Sequence, residues 1–531
     1  MDFMPWFLLL MLSYVQANLV RVDPLVLISN QGLVRGHKAA DGDYSIFLGI
    51  PYAKVDVNNP FSTATDPIAF PEIIHDAVDE VRCPQTSSSV GEQTLNCLRL
   101  NIYVPSAASS RNPMPVLVWI HGGDFATGSA SDYGVKNIVR HGVLVVTMNY
   151  RLGPYGFLCL DVPTASGNQG LRDQYKALSW IRNNIASFGG NPYNVTIAGQ
   201  DAGATSVLLQ LYSDNEKLFH KVIIESGTPQ SEGMFVNADV EAAIKLAVHL
   251  GLNTTETEEA IQFLTKTSPD LVVAAAKELE LQLKPCRERS FSGISNFVES
   301  DPYSLTNKKK VRNTPIMIGN TNKEKKSLSA DYFSTDPFYE KLKSNFNLDE
   351  AQIEKAAKNV RHFYIGDSSL SAEVASELQD FESDFVYNHP SQRTITQLLD
   401  ENAGKIYEYL FSYSGELEDG AEHSSELNYL FETAGGSDRT EEEQLMVDRI
   451  TTLWTNFVKF GNPTPKSTDL IPTIWEPVTA DTRPVLVLDK DVRLDSRIER
   501  QRMAYWDLFF TTYGQYNFIA RETCVFKDYD D

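Results

Sequence analysis

Runs of consecutive apolar residues, each closed by turn-forming residues, punctuate the first half of this chain. Pro115-Val116-Leu117-Val118-Trp119-Ile120 runs into His121-Gly122-Gly123, and Val143-Leu144-Val145-Val146-Thr147 runs into Asn149. A strand with one wet face alternates apolar and polar positions. An unbroken run therefore predicts a strand buried on both faces, as in a parallel sheet. Gln174 to Ile185 instead has the spacing of an amphipathic helix. Such strands and helices in alternation predict an α/β fold, with a large, mostly parallel central sheet and helices on both faces. Two more charged stretches, 237–310 and 337–400, are expected to be helical and to cover the C-terminal edge of that sheet.

Residues 1–17 read as a secretory signal peptide. The apolar run from Met4 to Val15 is too short to span a bilayer, and Val15-Gln16-Ala17 offers small residues for cleavage, although no Lys or Arg precedes the run. No later stretch approaches the roughly 18 unbroken apolar residues of a membrane helix. Val525 to Asp531 is acidic and contains neither an apolar anchor tail nor an ER-retention tetrapeptide. A secreted, extracellular protein with no membrane anchor is expected. Residues 18–531 are expected to form one large domain, since no linker-like stretch or repeat divides them.

The chain carries 47 Lys and Arg against 70 Asp and Glu, a formal net charge of −23, which argues against nucleic acid and anionic membrane as partners. Lys308-Lys309-Lys310 reads as a solvated loop. Nine His without an i,i+4 pair and five Cys without C-x-x-C make no zinc pattern, and no cofactor is expected. Cys159 lies in an apolar run and is expected to be a buried free thiol, while Cys286 and Cys524 have no assignable partner. Of two glycosylation sequons, Asn253-Thr254-Thr255 lies in a polar stretch suited to modification. Asn194-Val195-Thr196 enters a strand, where burial works against it.

The sharpest chemical signal is Val195-Thr196-Ile197-Ala198-Gly199-Gln200-Asp201-Ala202-Gly203-Ala204. A β-branched strand runs into a G-x-S-x-G nucleophile elbow whose central position is Asp201. The two glycines are steric requirements of the tight turn. Other blocks stand around it in order: Gly49-Ile50-Pro51-Tyr52-Ala53, Cys97-Leu98-Arg99-Leu100-Asn101-Ile102-Tyr103, Asn149-Tyr150-Arg151-Leu152-Gly153, Gly167-Asn168-Gln169-Gly170-Leu171-Arg172-Asp173-Gln174, Phe188-Gly189-Gly190-Asn191-Pro192 and Trp454-Thr455-Asn456-Phe457. Together they resemble the type-B carboxylesterase family, which includes cholinesterases and juvenile hormone esterases. The resemblance implies an α/β-hydrolase fold.

It also implies a site. Asp201 stands where the family has its nucleophilic serine. His423, in Gly420-Ala421-Glu422-His423-Ser424-Ser425-Glu426-Leu427, matches the family's histidine. Glu324, in Gly319-Asn320-Thr321-Asn322-Lys323-Glu324, matches its acid, with Lys325 in place of the usual following glycine. The oxyanion donors would be the backbone N–H groups of Gly123, Asp124 and Ala202, with the Asp124 side chain either near the hole or turned to solvent. Cys83 and Cys97 match the family's first disulfide. The short loop between them has no tryptophan, so the aromatic choline site of cholinesterases is absent. Gln200 resembles the elbow of juvenile hormone esterases.

A carboxylate at the elbow is a poor nucleophile for an ester, because its attack yields an anhydride. Its charge also competes with the oxyanion, and His423 between two carboxylates favours its protonated form. The expectation is a pseudoesterase that binds a small lipophilic ester-like ligand or an extracellular protein. Two alternatives keep catalysis. In the first, Ser206 or Thr205, about one helical turn from the elbow, replaces the lost hydroxyl. In the second, Asp201 attacks carbon as in haloalkane dehalogenases and epoxide hydrolases, although those enzymes carry Trp where this chain has Ala202.

Overall fold

The computed structural model describes residues 25–86, 92–325, 327–415, 420–432 and 439–518. The expected leader at 1–17, Cys524 and the acidic stretch 525–531 lie outside the described residues. The central sheet is built from β1 His37–Lys38, β2 Tyr44–Pro51, β3 Arg99–Pro105, β4 Met114–Ile120, β5 Leu144–Met148, β6 Gly190–Gln200, β7 Lys221–Glu225, β8 Ile316–Thr321, β9 Ile406–Phe411, β10 Val485–Leu488 and β11 Arg493–Asp495. Their order across the sheet is β11-β10-β9-β8-β7-β6-β4-β5-β3-β2-β1. The run from β5 to β10 is parallel throughout, and antiparallel strands close both sides.

The apolar runs form strands because both faces are covered. Val116, Val118 and Ile120 of β4 join one core with Ile197, Val222 and Ile224, packed on helix α1 (Gln169–Asn184) and helix α2 (Ala202–Tyr212). Leu117 and Trp119 join a second core on the other face, with Ile223, Met317 and the Met446, Ile450 and Trp454 side chains of the long helix Glu441–Phe460. Successive residues thus belong to opposite cores, as the pleat of a strand requires. Helix α1 begins before the amphipathic pattern does. Gly170, which interrupts that pattern, sits where an added Cβ would come within 2.6 Å of both the Arg151 carbonyl and the Phe157 ring, so close packing demands it.

The charged stretches are helical in part, at Ala242–His249, Thr257–Lys266 and Pro269–Glu278, and then from Pro337 through Asp400. Both reach the C-terminal ends of the strands. Lys284 grips Asp124 beyond β4, and Tyr387 lies against His423. Among the described residues no helix is long and apolar enough to cross a membrane.

Two expectations are corrected. Cys159 is buried but not free: it is bonded to Cys286, and Cys83 is bonded to Cys97. The first pair is 127 residues apart, and no local pattern links its partners. Gly167 at φ +97° allows the approach, since its Cβ would lie 2.8 Å from each of the two sulfurs. Lys308-Lys309-Lys310 forms a short helical turn, Lys308–Val311, rather than a solvated loop. Lys308 and Lys309 are exposed, but Lys310 is buried, because Nζ reaches the Gln210 carbonyl (2.9 Å) and Ser213 Oγ (3.0 Å).

Closing so long a loop restricts the unfolded chain. Replacing Cys159 and Cys286 together by Ala is expected to cost about 2–5 kcal/mol. A clear fall in melting temperature would report it, and a peptide map of the unreduced protein should contain the 159–286 cross-link.

Candidate functional site

Strand β6 ends at Gln200 and helix α2 starts at Ala202, leaving Asp201 alone on the turn at φ +57°, ψ −120°. A side chain in that region costs roughly 1–3 kcal/mol and persists only where the surroundings impose it. They do so here through close backbone contacts. A Cβ on Gly203 would lie 2.0 Å from the Ile120 carbonyl oxygen, and one on Gly227 2.3 Å from that of Asp201.

Beyond β4 the backbone of Gly123 (φ +97°), Asp124 (φ +57°) and Phe125 (φ +59°) is left-handed, and it turns two amides toward the elbow. Gly123 N–H and Asp124 N–H donate to Asp201 Oδ2 at 3.0 and 2.9 Å. The Ala202 amide also draws on this carboxylate. All three amides named from the resemblance therefore converge on Asp201. The Asp124 side chain is turned away from them: its carboxylate pairs with Lys284, whose Nζ also donates to the Asp124 carbonyl at 2.7 Å. Lys284, 160 residues from Asp124, has no sequence signature.

Glu324 is buried just after β8. Its Oε2 lies 2.5 Å from His423 Nδ1, while Oε1 accepts from Ser226 Oγ (2.6 Å) and the Thr321 amide (2.8 Å). Asn322 Oδ1 accepts from the Ala421 amide at 2.7 Å, and Lys323 N–H donates to the Ala421 carbonyl, so the acid loop is tied to the histidine loop. Lys325 does not disturb this: its amide donates to Ser383 Oγ at 3.1 Å. Nε2 of His423 faces Asp201 Oδ1 at 3.7 Å. The imidazole is about a quarter exposed and rests against Tyr387, with ring centres 4.9 Å apart. Tyr387 belongs to the π-helical turn Asp384–Asn388, a local irregularity often found at functional sites.

Burial opposes charge on His423, but Glu324 and then Asp201 outweigh it and push its pKa up to about 10. Burial also opposes ionisation of Asp201, yet His423 and the Asp124 and Ala202 amides bring its carboxyl below the usual range. The Gln200 amide lies 2.8 Å from Nε2. It is the Gln200 nitrogen that faces Nε2 there, and since an imidazolium has no lone pair to accept from it, a protonated His423 requires the amide flipped, with Oε1 accepting from Nε2–H. Two further acids, Glu225 and Glu426, are fully buried behind the histidine, and burial together with neighbouring carboxylates raises both pKa values. Two carboxylates and one imidazolium leave the site negative at neutral pH.

The remaining sequence-predicted residues lie elsewhere. Thr205 and Ser206 are fully buried, and Ser206 Oγ donates to the Ala202 carbonyl at 2.8 Å, away from the amide cluster. Asn253 is exposed in a loop. Asn194 is half-buried, accepting from Lys221 Nζ and donating to the Lys459 carbonyl at 3.4 Å.

A raised histidine pKa stabilises the fold fully below the unfolded value of 6.5, and that stabilisation is lost as pH rises through about 10. Followed by NMR, His423 should titrate near that upper value in the wild type and well below it in Asp201→Asn. The stability lost between pH 7 and 10 should shrink in the same variant.

Residues 22–506 match the Carboxylesterase family. The juvenile hormone esterase of Heliothis virescens is 30% identical over 486 residues, covering 82% of this chain and 85% of its own. The medium-chain fatty acyl-CoA hydrolase precursor of Anas platyrhynchos is 28% identical over 528 residues, covering 90% and 91%. The crystal structure of juvenile hormone esterase from Manduca sexta, with OTFP covalently attached, superposes with a TM-score of 0.79 at 26% identity, covering 92% of this chain and 100% of that one. The fold is that of an α/β-hydrolase, and this chain belongs to the carboxylesterase family.

Proposed function

We propose that this protein is a secreted, non-catalytic member of the carboxylesterase family that holds a lipophilic ester-like ligand at the site where its relatives cleave theirs. The observation that carries this reading is the hydrogen bonding of Asp201 Oδ2 to the Gly123 and Asp124 amides. Those donors serve an ester hydrolase by stabilising the oxyanion of the tetrahedral intermediate. Here a permanent anion occupies them, on the residue that stands in the serine's place. The base is disabled as well, since an imidazolium with a pKa of about 10 accepts no proton at neutral pH.

The relatives support the ligand class, because their names carry juvenile hormone and fatty acyl groups. Two disulfides, Cys83–Cys97 and Cys159–Cys286, suit an oxidising compartment and, with the apolar leader, support secretion.

One observation favours a second reading. The Gly123 and Asp124 amides hold Oδ2 of Asp201, while Oδ1 faces His423 Nε2 at 3.7 Å, beyond hydrogen-bond length. That oxygen could attack an alkyl halide or epoxide carbon, displacing halide or opening the ring and leaving an ester on Asp201. Esterification removes the Asp201 charge, so His423 loses one of its two anionic partners, gives its proton to the alkoxide of an opened epoxide or to solvent, and as a neutral base can activate the water that hydrolyses the ester. Mass spectrometry of the intact protein after incubation with a haloalkane or epoxide would then find an alkyl adduct. Unmodified mass with no halide or diol released leaves binding as the function.

The deciding experiment compares initial rates of aryl ester hydrolysis by the wild type and Asp201→Ser. The wild type should stay at background and Asp201→Ser should exceed it by at least about 100-fold, well within the roughly 10⁶-fold worth of a serine nucleophile. Apolar esters should raise the melting temperature of the wild type. Wild-type turnover well above background would end the pseudoesterase reading.

A further inference from the structure

The edge of the sheet opposite the elbow, where the parallel strands begin, gathers several basic side chains. Thr196 of β6 pairs with Lys221 of β7, Val222 with Ile316 of β8, and Ile316 with Ile406 of β9. This register sets Lys221 and Lys405 at the starts of nearby strands that lie about 4.8 Å from their neighbours. Arg312 bridges to Ala403 beside them. Lys459 ends the helix Glu441–Phe460, and its carbonyl accepts from Asn194, whose Oδ1 meets Lys221 Nζ. Lys308 and Lys309 extend the band into solvent.

The amines of this band meet neutral oxygens rather than carboxylates. Lys217 Nζ donates to Thr314 Oγ1 at 2.5 Å, Lys221 to the Asn194 amide, and Lys310 to a carbonyl and a serine hydroxyl. Burial lowers the pKa of Lys217, Lys221 and Lys459, and no acid counters it. His220 is pushed down by burial and then by Lys221, Lys217 and Arg182, which places these four groups in one field. In a chain with a net charge of −23, Lys217, Lys221 and Lys459 are collected here with no acid acting on them, whereas Asp214 draws on Lys310 and Glu401 on Lys308. Desolvated cations of this kind gain most from an anion brought to them.

Two large rings stand among them. Tyr193 is 69% exposed, with the Arg182 guanidinium 4.3 Å from its ring centre, and Phe460, next to Lys459, is 64% exposed. Exposed Tyr and Phe beside Arg form the composition of a protein interface rather than of a track for a linear polyanion, which would leave both rings unused. The Debye length is about 8 Å at physiological salt, so a short acidic segment at contact feels this band more than the distant net charge.

We propose that this edge is a docking surface for an acidic, partly apolar segment of a partner polypeptide, separate from the elbow site and beyond the ligand-binding role. The probe is a fluorescein-labelled peptide of alternating Glu and Leu, titrated with the full-length protein and followed by anisotropy at low and physiological salt. Saturable binding should weaken at least about tenfold in Lys309→Glu/Lys405→Glu/Lys459→Glu and severalfold in Phe460→Ser, with both variants melting like the wild type. Absence of saturable binding, or equal binding by all three proteins, overturns the proposal. So does heparin binding more tightly than the peptide with no response to Phe460→Ser, which would make the surface a polysaccharide site. Concentration-dependent self-association lost in the triple variant would make the partner a second copy and likewise overturn it.

Discussion

Two backbone N–H groups donating to one oxygen of Asp201 decide the electrostatics of this site. The donors exist because Gly123, Asp124 and Phe125 follow one another with positive φ, a conformation that directs successive amides to one point. The acceptor is there because the elbow holds Asp201 in a backbone region most side chains avoid. Once that carboxylate is ionised, His423 lies between two negative groups and keeps its proton. The Gly123 and Asp124 amides, Asp201, His423 and Glu324 thus form one connected chain of hydrogen bonds and ion pairs.

The geometry that permits this is independent of the reacting atom. Arg151 and Asp173, both fully buried, form a two-pronged ion pair at 2.7 Å on each arm, and Arg151 also donates to the Pro60 and Ser62 carbonyls. Removing either partner would leave a buried charge alone, at a cost of about 3–5 kcal/mol. Such a pair is retained for structural reasons whatever stands at the elbow. Similarly, Gly199, Gly203 and Gly227 are needed because backbone passes where a Cβ would be. A scaffold made of these constraints can keep its shape while its chemistry changes at a single residue.

Lys284 shows how far from the elbow the adjustment extends. Asp124 puts a carboxylate next to an amide cluster already filled by Asp201, and two like charges there would repel. Lys284 reaches across to hold both the carboxylate and the carbonyl of Asp124, turning the second charge outward and fixing the loop that carries the donors. The helical segment leading to Lys284 is also anchored nearby by the Cys159–Cys286 bond.

The sequence by itself determined the α/β architecture, because the buried parallel strands had to be unbroken apolar runs and the surface helices had to be amphipathic. Its resemblance to the type-B carboxylesterases pointed to Asp201, Glu324, His423 and the Gly123, Asp124 and Ala202 amides, and the structure brings these groups together. The tertiary structure decided what depends on pairing across long stretches of chain. An apolar run around Cys159 signals a buried free thiol, because burial is visible locally and a partner 127 residues away is not. The start of helix α1 carries no amphipathic signal because Gly170 answers to the Arg151 carbonyl and the Phe157 ring rather than to its own helix. The direction of the Asp124 side chain and the basic band at the far edge of the sheet follow the same logic. Each is set by strand register or by a side chain from a distant segment, and neither leaves a periodic trace in the order of residues.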